Sequence, residues 1–189
     1  MKCLVVSDSH GDRDVLVRLL DKYRGQVDAF FHCGDSELPH DDAVFQEIFT
    51  VQGNMDFDDV IPNEVNPTID EVTVYMTHGH LVGVNMGLDH LLANAEVHNA
   101  TLAFFGHTHQ LGVERRGGVV VLNPGSITYP RGEFARIGGT YAIVTTSACL
   151  ISTAVRLTPF FTVVILNYRM MTRFFKRYSR FKEIWISMT

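Results

Sequence analysis

Apolar residues in the first 148 positions occur mainly in short runs that are rich in β-branched and aromatic side chains. Such runs, separated by polar and glycine-containing segments, predict buried β-strands. The predicted strands cover residues 2–7, 28–33, 47–52, 70–77, 101–105 and 139–146. Residues 111–123 place two short runs on either side of Gly117 and Gly118, which predicts a β-hairpin.

Two other segments have a helical spacing of apolar positions. In residues 13–23 the apolar side chains recur every three or four positions, and residues 87–98 also predict a helix. Strands alternate with helices in the first part of the chain, and hairpin strands follow. This order favours a layered α/β domain with mixed sheets.

The composition restricts the class of protein. The chain has 189 residues, of which 46% are hydrophobic, so one domain with a sizeable core is expected. Its net charge of −5 argues against a surface that binds nucleic acid throughout. Three cysteines without a CxxC spacing argue against a disulfide framework and against a thiolate zinc site. The N-terminus turns polar after six residues, too early for a signal peptide, and we predict a cytoplasmic protein.

Residues 149–189 differ from the preceding domain, residues 1–148. The domain contains 9 Lys and Arg and 20 Asp and Glu, whereas the later segment contains 7 Lys and Arg and the single acid Glu183. Residues 160–168 predict a strand, and residues 170–185 predict a basic amphipathic helix that includes Trp185. Arg156 and Pro159 interrupt the apolar stretch, which argues against a transmembrane helix.

The role of the C-terminal segment is open between three interpretations. It packs on the domain or on another subunit, in which case it would support a homo-oligomer. It contacts an anionic membrane surface or a partner. Alternatively, it is an atypical end without an evolved role, such as a shifted reading frame would produce.

Five predicted strands end in clusters of polar side chains. The clusters contain carboxylates, imidazoles and one amide: Asp8 and His10; Asp35; Asn54; His78 and His80; His107 and His109. Residues i and i+2 of an extended chain point to the same side, so each Asp-x-His or His-x-His pair is expected to direct two ligand atoms to one place. Carboxyl ends of strands are also where α/β sheets form their sites. Each cluster alone is also compatible with a turn or a helix cap.

The chemistry of these side chains predicts a metal site. Carboxylate, imidazole and amide ligands without thiolates suit Mn²⁺, Fe²⁺, Ni²⁺, Zn²⁺ or Mg²⁺. Seven of these eight side chains, all except His80, are candidate ligands, which is too many for one tetrahedral zinc ion. They suit two divalent ions about 3.5–4 Å apart that share a bridging carboxylate.

The order Asp-x-His, Gly-Asp, Gly-Asn, His-Gly-His and Gly-His-Thr-His resembles the calcineurin-like metallophosphoesterase superfamily. The compact size and "LNPGSITYPRG" are similar to the small YfcE-like phosphodiesterases, and the resemblance covers residues 1–146. It implies a four-layer α/β/β/α sandwich of two mixed sheets, with the site between them. It also implies two metal ions, with Mn²⁺ as the first expectation, and attack on phosphorus by a metal-bridging hydroxide. The implied ligands are Asp8, His10, Asp35 and His109 for one ion, and Asp35, Asn54, His78 and His107 for the other.

One position departs from the superfamily pattern. Many members carry a histidine directly after the Gly-Asn asparagine, where it can protonate the leaving group. This chain has Met55 there, which cannot donate a proton. His80 is a candidate donor beside Asn54, and a structural role for His80 is equally compatible. Asp56 is a candidate for orienting a ligand imidazole.

The segment "NPGSITYPRG" has the composition of a turn. Its hydroxyl and guanidinium groups also suit phosphate binding. Ser126 is a candidate donor to a phosphate, and Arg131 a candidate bidentate clamp.

These observations predict a metal-dependent phosphodiesterase that hydrolyses small phosphodiesters. Within the enzyme class, a phosphomonoesterase and a nuclease remain alternatives, although the acidic domain argues against binding of duplex nucleic acid. A non-catalytic protein-binding scaffold is a further alternative, because one retromer subunit is similar to this fold.

Overall fold

The structure is a computed structural model that describes residues 1–147, 160–167 and 184–188. The described part contains twelve strands and two α-helices. The strands are β1 (Lys2–Val6), β2 (Ala29–His32), β3 (Ile48–Thr50), β4 (Glu64–Val65), β5 (Thr68–Ile69), β6 (Val72–Thr77), β7 (Leu102–Phe104), β8 (Leu111–Arg116), β9 (Val119–Pro124), β10 (Thr140–Ser147), β11 (Phe160–Asn167) and β12 (Ile184–Met188). The helices are α1 (Arg13–Tyr23) and α2 (Asp89–Val97).

The strands form two mixed sheets. The first has the order β12-β11-β10-β1-β2-β3, in which β1, β2 and β3 run parallel and the remaining pairs are antiparallel. The second has the order β4-β6-β7-β9-β8, with β5 also paired to β6. Strands β6, β7 and β9 are parallel there. Parallel strands end at a common edge, so the loops after β1, β2 and β3 lie together, as do those after β6 and β7.

The main core lies between the two sheets. In β1, Cys3 and Val5 face the second sheet, where they join a cluster that includes Met76 and Phe104. The alternate residues Leu4 and Val6 face the other way. This alternation follows from the two-residue period of a strand, and both faces of β1 are buried.

A helix covers the outer face of each sheet. The buried residues of α1, among them Leu16 and Leu19, pack on the first sheet, and Asp12 caps this helix by accepting a hydrogen bond from the Val15 amide at 3.1 Å. Leu91 and Ala95 of α2 pack on the second sheet. The arrangement is therefore the predicted four-layer α/β/β/α sandwich. Neither helix in the described part is long and apolar enough to cross a membrane.

Most predicted elements are present, with differences at the C-terminus. The predicted helix over residues 13–23 coincides with α1, and the strand predicted at residues 160–168 is β11. Trp185, predicted at the end of the basic helix, instead lies in β12, and residues 170–183 of that predicted helix lie outside the described residues. The short strands β4 and β5 were not predicted. Strand β11 pairs with β10 over their whole length. The division of the chain into a domain of residues 1–148 and a separate segment of residues 149–189 stays a prediction.

Candidate metal centre

All seven predicted ligands follow the carboxyl ends of parallel strands. Asp8 and His10 follow β1, Asp35 follows β2, and Asn54 follows β3. His78 directly follows β6, whereas His107 and His109 follow β7. The two sheets meet at this edge, and the loops bring the seven side chains together from opposite sides of the sandwich.

The backbone of these loops is not extended. Five of the predicted ligands have a positive φ: 55° at Asp8, 44° at His10, 54° at Asp35, 65° at His107 and 59° at His109. Such values are uncommon for residues other than glycine and concentrate at functional sites. The prediction that the ligand atoms converge because residues i and i+2 of an extended strand point to the same side was therefore wrong. The side chains converge because left-handed residues turn the loops towards one another.

The first group of ligands, which we call the inner cluster, comprises Asp8, His10, Asp35 and His109. Their ligand atoms all lie within 4.8 Å of one another. His109 Nε2 is 3.2 Å from both Asp8 Oδ1 and His10 Nε2. Three of the four residues are buried, and His10 is partly buried.

The outer group comprises Asn54, His78 and His107. Asn54 Oδ1 lies 3.2 Å from His78 Nε2 and 2.8 Å from His107 Nδ1. His78 is fully buried, and its Nδ1 lies 2.6 Å from the carbonyl oxygen of Cys33. Asn54 is exposed and His107 is partly buried, so this group faces solvent on one side.

Asp35 belongs to the inner cluster and also contacts the outer group. Its Oδ2 is 3.4 Å from His78 Nε2, and its Oδ1 accepts a hydrogen bond from the Met55 amide at 2.8 Å. Burial alone would raise the pKa of Asp35, but the hydrogen bond and charge of His78 lower it to about 2. A Cβ at position 53 would overlap Asp35 Oδ1 and the Asp35 amide, which explains the glycine there.

The donor set of the inner cluster fits a divalent ion. Asp8 Oδ1 is buried with His109 Nε2 at 3.2 Å, and Ser7 Oγ donates to the other oxygen at 2.5 Å. The ring nitrogens of His10 and His109 face each other at hydrogen-bond distance. Buried carboxylate and imidazole atoms that lie this close together need a shared partner, and a bound cation would supply one. Oxygen and imidazole donors match the borderline and hard divalent ions.

Three side chains that sequence reasoning missed support the ligands. Glu37 Oε1 is 2.7 Å from His10 Nδ1, and Asn85 Nδ2 is 2.9 Å from His107 Nε2. The Tyr129 ring lies 5.2 Å from the His10 ring, and the backbone carbonyl oxygen of Tyr129 is 2.8 Å from His109 Nδ1. Such partners orient metal-binding histidines. The one available signal was the position of Glu37, two residues after Asp35.

Asp56 has a different role from the predicted one. It is buried, and its carboxylate accepts hydrogen bonds from the amides of Asp35, Gly53 and Glu37 and from the Ser36 hydroxyl. The prediction that Asp56 orients a ligand imidazole does not fit, because both oxygens are used by these donors. Instead, Asp56 holds the loop after β2 against the loop after β3.

Ser126 is also used structurally. Its hydroxyl is fully buried and donates to the Asp8 carbonyl oxygen at 2.9 Å, while it accepts from the amides of Thr128 and Tyr129. The prediction that Ser126 donates to a phosphate does not fit, because its single proton is already donated. Ser126 connects the loop after β9 to the loop that carries Asp8.

Arg131 and His80 lie beside the ligands. The Arg131 amide donates to the His109 carbonyl oxygen at 2.9 Å, and its side chain is exposed. The His80 ring is 5.4 Å from the His78 ring and 6.2 Å from the His107 ring, and its buried Nδ1 makes no hydrogen bond within the described part of the chain. Nearby, His32 is fully buried with its Nε2 2.9 Å from Ser9 Oγ. Burial lowers the pKa of His32 to about 4.

A site of this composition at the edge of such a sandwich defines a class of metal-dependent phosphoesterases. Residues 1–148 match the model of the calcineurin-like phosphoesterase superfamily domain. The chain belongs to this superfamily, as its motifs predicted.

Two relatives cover most of the chain. The probable metallophosphoesterase YsnB of Bacillus subtilis (strain 168) is 37% identical over 145 residues, which are 77% of this chain and 84% of YsnB. A predicted phosphoesterase from Streptococcus pneumoniae TIGR4 has a similar crystal structure, with a TM-score of 0.81 and 31% identity. The alignment covers 99% of this chain and 97% of that one.

More distant structures share the fold. The Escherichia coli phosphoesterase YfcE has a TM-score of 0.55 at 21% identity, over 82% of this chain and 96% of its own. Vps29 from Entamoeba histolytica, solved with Zn²⁺, has a TM-score of 0.67 at 17% identity over 99% of each chain. The predicted similarity to the superfamily and to YfcE is therefore confirmed.

Proposed function

We propose that the protein is a phosphodiesterase that uses two divalent metal ions. The observation that carries this proposal is the position of Asp35, whose carboxylate lies in the inner cluster and contacts His78 of the outer group. A shared carboxylate of this kind is what a pair of adjacent ions requires. The inner cluster would hold one ion, and Asp35, Asn54, His78 and His107 the other.

The bound ions would lower the pKa of a water molecule and offset the negative charge on the phosphoryl oxygens. The protein's own side chains position the phosphoryl group. The Arg131 backbone is bonded to His109, and its exposed guanidinium can donate to a phosphoryl oxygen that points away from the ligand side chains. The amide of Asn54 is exposed beside the same position, where it can orient the substrate.

His80 is our candidate for donating a proton to the leaving group, because Met55 carries no proton to donate. Its ring lies near those of His78 and His107, and its Nδ1 has no hydrogen-bond partner among the residues that the structure describes. If His80 has this role, His80→Gln should slow a substrate with a poor leaving group much more than one with nitrophenolate. Equal slowing of both substrates would point to a structural role.

The surroundings favour diesters over monoesters. The acids Glu37, Asp58 and Asp59 line a groove beside the ligands. A phosphodiester carries one negative charge, whereas a monoester carries nearly two near neutral pH. Repulsion by these carboxylates therefore penalises the monoester more. We propose small phosphodiesters as substrates, Mn²⁺ as the ion and the cytoplasm as the location.

The test is a matrix of activities. The protein is freed of metal and assayed with Mn²⁺, Ni²⁺, Mg²⁺ and Zn²⁺ against bis(4-nitrophenyl) phosphate, 4-nitrophenyl phosphate and a polynucleotide. We expect diester hydrolysis that depends on the metal and is abolished by Asp35→Asn. Absence of turnover with every ion would refute the proposal. Faster monoester hydrolysis would indicate a phosphomonoesterase, and salt-sensitive cleavage of the polynucleotide a nuclease.

A further inference from the structure

A groove of about 510 Å³ opens beside the metal centre. Its lining combines apolar residues, including Met55 and Phe57, with the three acids Glu37, Asp58 and Asp59. None of the lining residues in the described part of the chain is a lysine or an arginine. The groove is thus apolar and negatively charged.

The groove is continuous with the inner cluster. Glu37 lines the groove, and its Oε1 lies 2.7 Å from His10 Nδ1. Met55 also lines it, and the Met55 amide donates to Asp35 Oδ1 at 2.8 Å. A phosphoryl group held at the inner cluster would therefore have its organic substituent within reach of these two residues.

The apolar part of the lining is exposed without an evident folding role. Phe57 is 91% exposed and Met55 is 41% exposed. An exposed aromatic face beside a functional site is suited to contact a ligand, and it attracts cations as well as apolar groups.

Asp58 belongs to the acidic part of the lining. Hydrogen bonds from the His40 amide and ring hold the pKa of Asp58 below its usual range. Asp59 is exposed at the groove, and Glu37 faces His10 on its other side. The field in the groove therefore attracts a positive group and repels a negative one.

We propose that this groove holds the organic group of the phosphoester and selects a cationic group over an anionic one. The proposal rests on the proposed function, since the metal centre must hold the phosphoryl group. It assigns the substrate class as phosphodiesters of an alcohol that carries an ammonium group. Esters with a further carboxylate or phosphate are the class that the groove rejects.

Binding of phosphonates to the Mn²⁺-loaded protein tests this directly. Methyl-, 2-carboxyethyl- and 2-(trimethylammonio)ethylphosphonate share one head group, and their P–C bond resists hydrolysis. We expect isothermal titration calorimetry to give a Kd about tenfold lower for the cationic compound than for the anionic one, with the methyl compound between them. The difference should shrink at high salt.

Two variants connect the effect to the groove. Asp59→Asn should reduce the ratio of the two Kd values by a factor of about three, because it removes one of the carboxylates. Phe57→Ala should weaken binding of the cationic compound and leave methylphosphonate unchanged. Glu96→Gln and Val97→Ala are the matched controls, since both residues are exposed on α2, away from the groove.

The outcomes separate the two proposals. The expected order of Kd values without diester turnover would refute the proposed function and keep the groove assignment. Diester turnover with equal Kd values, or with Kd values that Asp59→Asn does not change, would overturn the groove assignment alone. A cationic phosphonate that binds no more tightly than methylphosphonate would overturn it as well.

Discussion

The inner cluster and the outer group are built from similar side chains but differ in their surroundings. In the inner cluster, Asp8 and Asp35 are almost fully buried. In the outer group, Asn54 is exposed, and His107 is supported by the side chain of Asn85, which is itself exposed. Only His78 of the outer group is buried as deeply as the inner ligands.

For the two ions that we propose, this difference predicts binding of unequal strength. Buried ligands with fixed partners lose little freedom when an ion binds, and two carboxylates provide charge in the inner cluster. The outer group adds only neutral ligands to the shared Asp35. We therefore expect the inner ion to bind more tightly and the outer ion to exchange with solvent.

Removal of one ligand from the inner cluster or from the outer group should give the largest effects on turnover. Asp8→Asn removes a buried charge from the inner cluster and should lower turnover by more than about a hundredfold. This exceeds the loss expected when a side chain that only orients a ligand is mutated. Asn54→Ala removes one neutral ligand and should cost about tenfold to a hundredfold. Diester turnover and metal content after dialysis measure both. A greater loss of metal from Asn54→Ala would contradict the comparison.

Stepwise removal of metal is a second test of the difference. A chelator titrated into the loaded protein should remove the outer ion first and the inner ion only at higher concentration, because of their unequal affinities. Metal content and turnover followed together should show that activity disappears with the first ion. Loss of both ions in one step would show that the two positions are equivalent.

The partners of the two histidines allow a finer comparison. Glu37→Gln removes the charged partner of His10, and Asn85→Ala removes the neutral, exposed partner of His107. We expect Glu37→Gln to weaken Mn²⁺ binding by about tenfold or more and Asn85→Ala by less than that. Direct Mn²⁺ titrations of both variants provide the measurement. Equal losses would mean that burial and charge do not distinguish the two sides.

The smallest expected effect concerns His32, which contacts the loop after β1. His32 is neutral and buried, and it contacts Ser9, the residue between Asp8 and His10. In the unfolded chain the His32 ring takes up a proton near pH 6.5. The unfolded state thus binds more protons between about pH 4 and 6.5, and stability falls as the pH falls through this window. For the metal-free protein, we expect a loss of about 1 kcal/mol from pH 6.5 to 5.5.

Denaturant unfolding at several pH values measures this loss. His32→Gln should remove that part of the pH dependence, and His90→Gln on the exposed side of α2 should keep it. An unchanged slope in His32→Gln would mean that other groups cause the dependence.

Sequence patterns were sufficient where the signal is local. The helical spacing in residues 13–23 coincided with α1, because one face of that helix must be apolar to cover the first sheet. The strand β12 could not be predicted, since Trp185 also fits a helical repeat, and the choice depends on pairing with β11. Residues 170–183 were also predicted as helix and lie outside the described part of the chain.

The site shows the same limit. Ser126 had the chemistry of a phosphate donor, but its hydroxyl is used by Asp8 and by two amides of its own loop. Asp56 had the chemistry of an imidazole partner, but its carboxylate accepts hydrogen bonds from backbone amides instead. In both cases the residue type was informative about hydrogen bonding and uninformative about the partner.

By itself, the sequence determined the layered α/β architecture and a ligand chemistry without thiolates, because strand periodicity and residue type are local properties of the chain. Only the tertiary structure decided how the loops turn. The left-handed backbone at Asp8, His10, Asp35, His107 and His109 is stabilised by contacts between loops that are distant in sequence. The same packing decided which ligands are buried, which stay open to solvent, and that an acidic groove lies beside them.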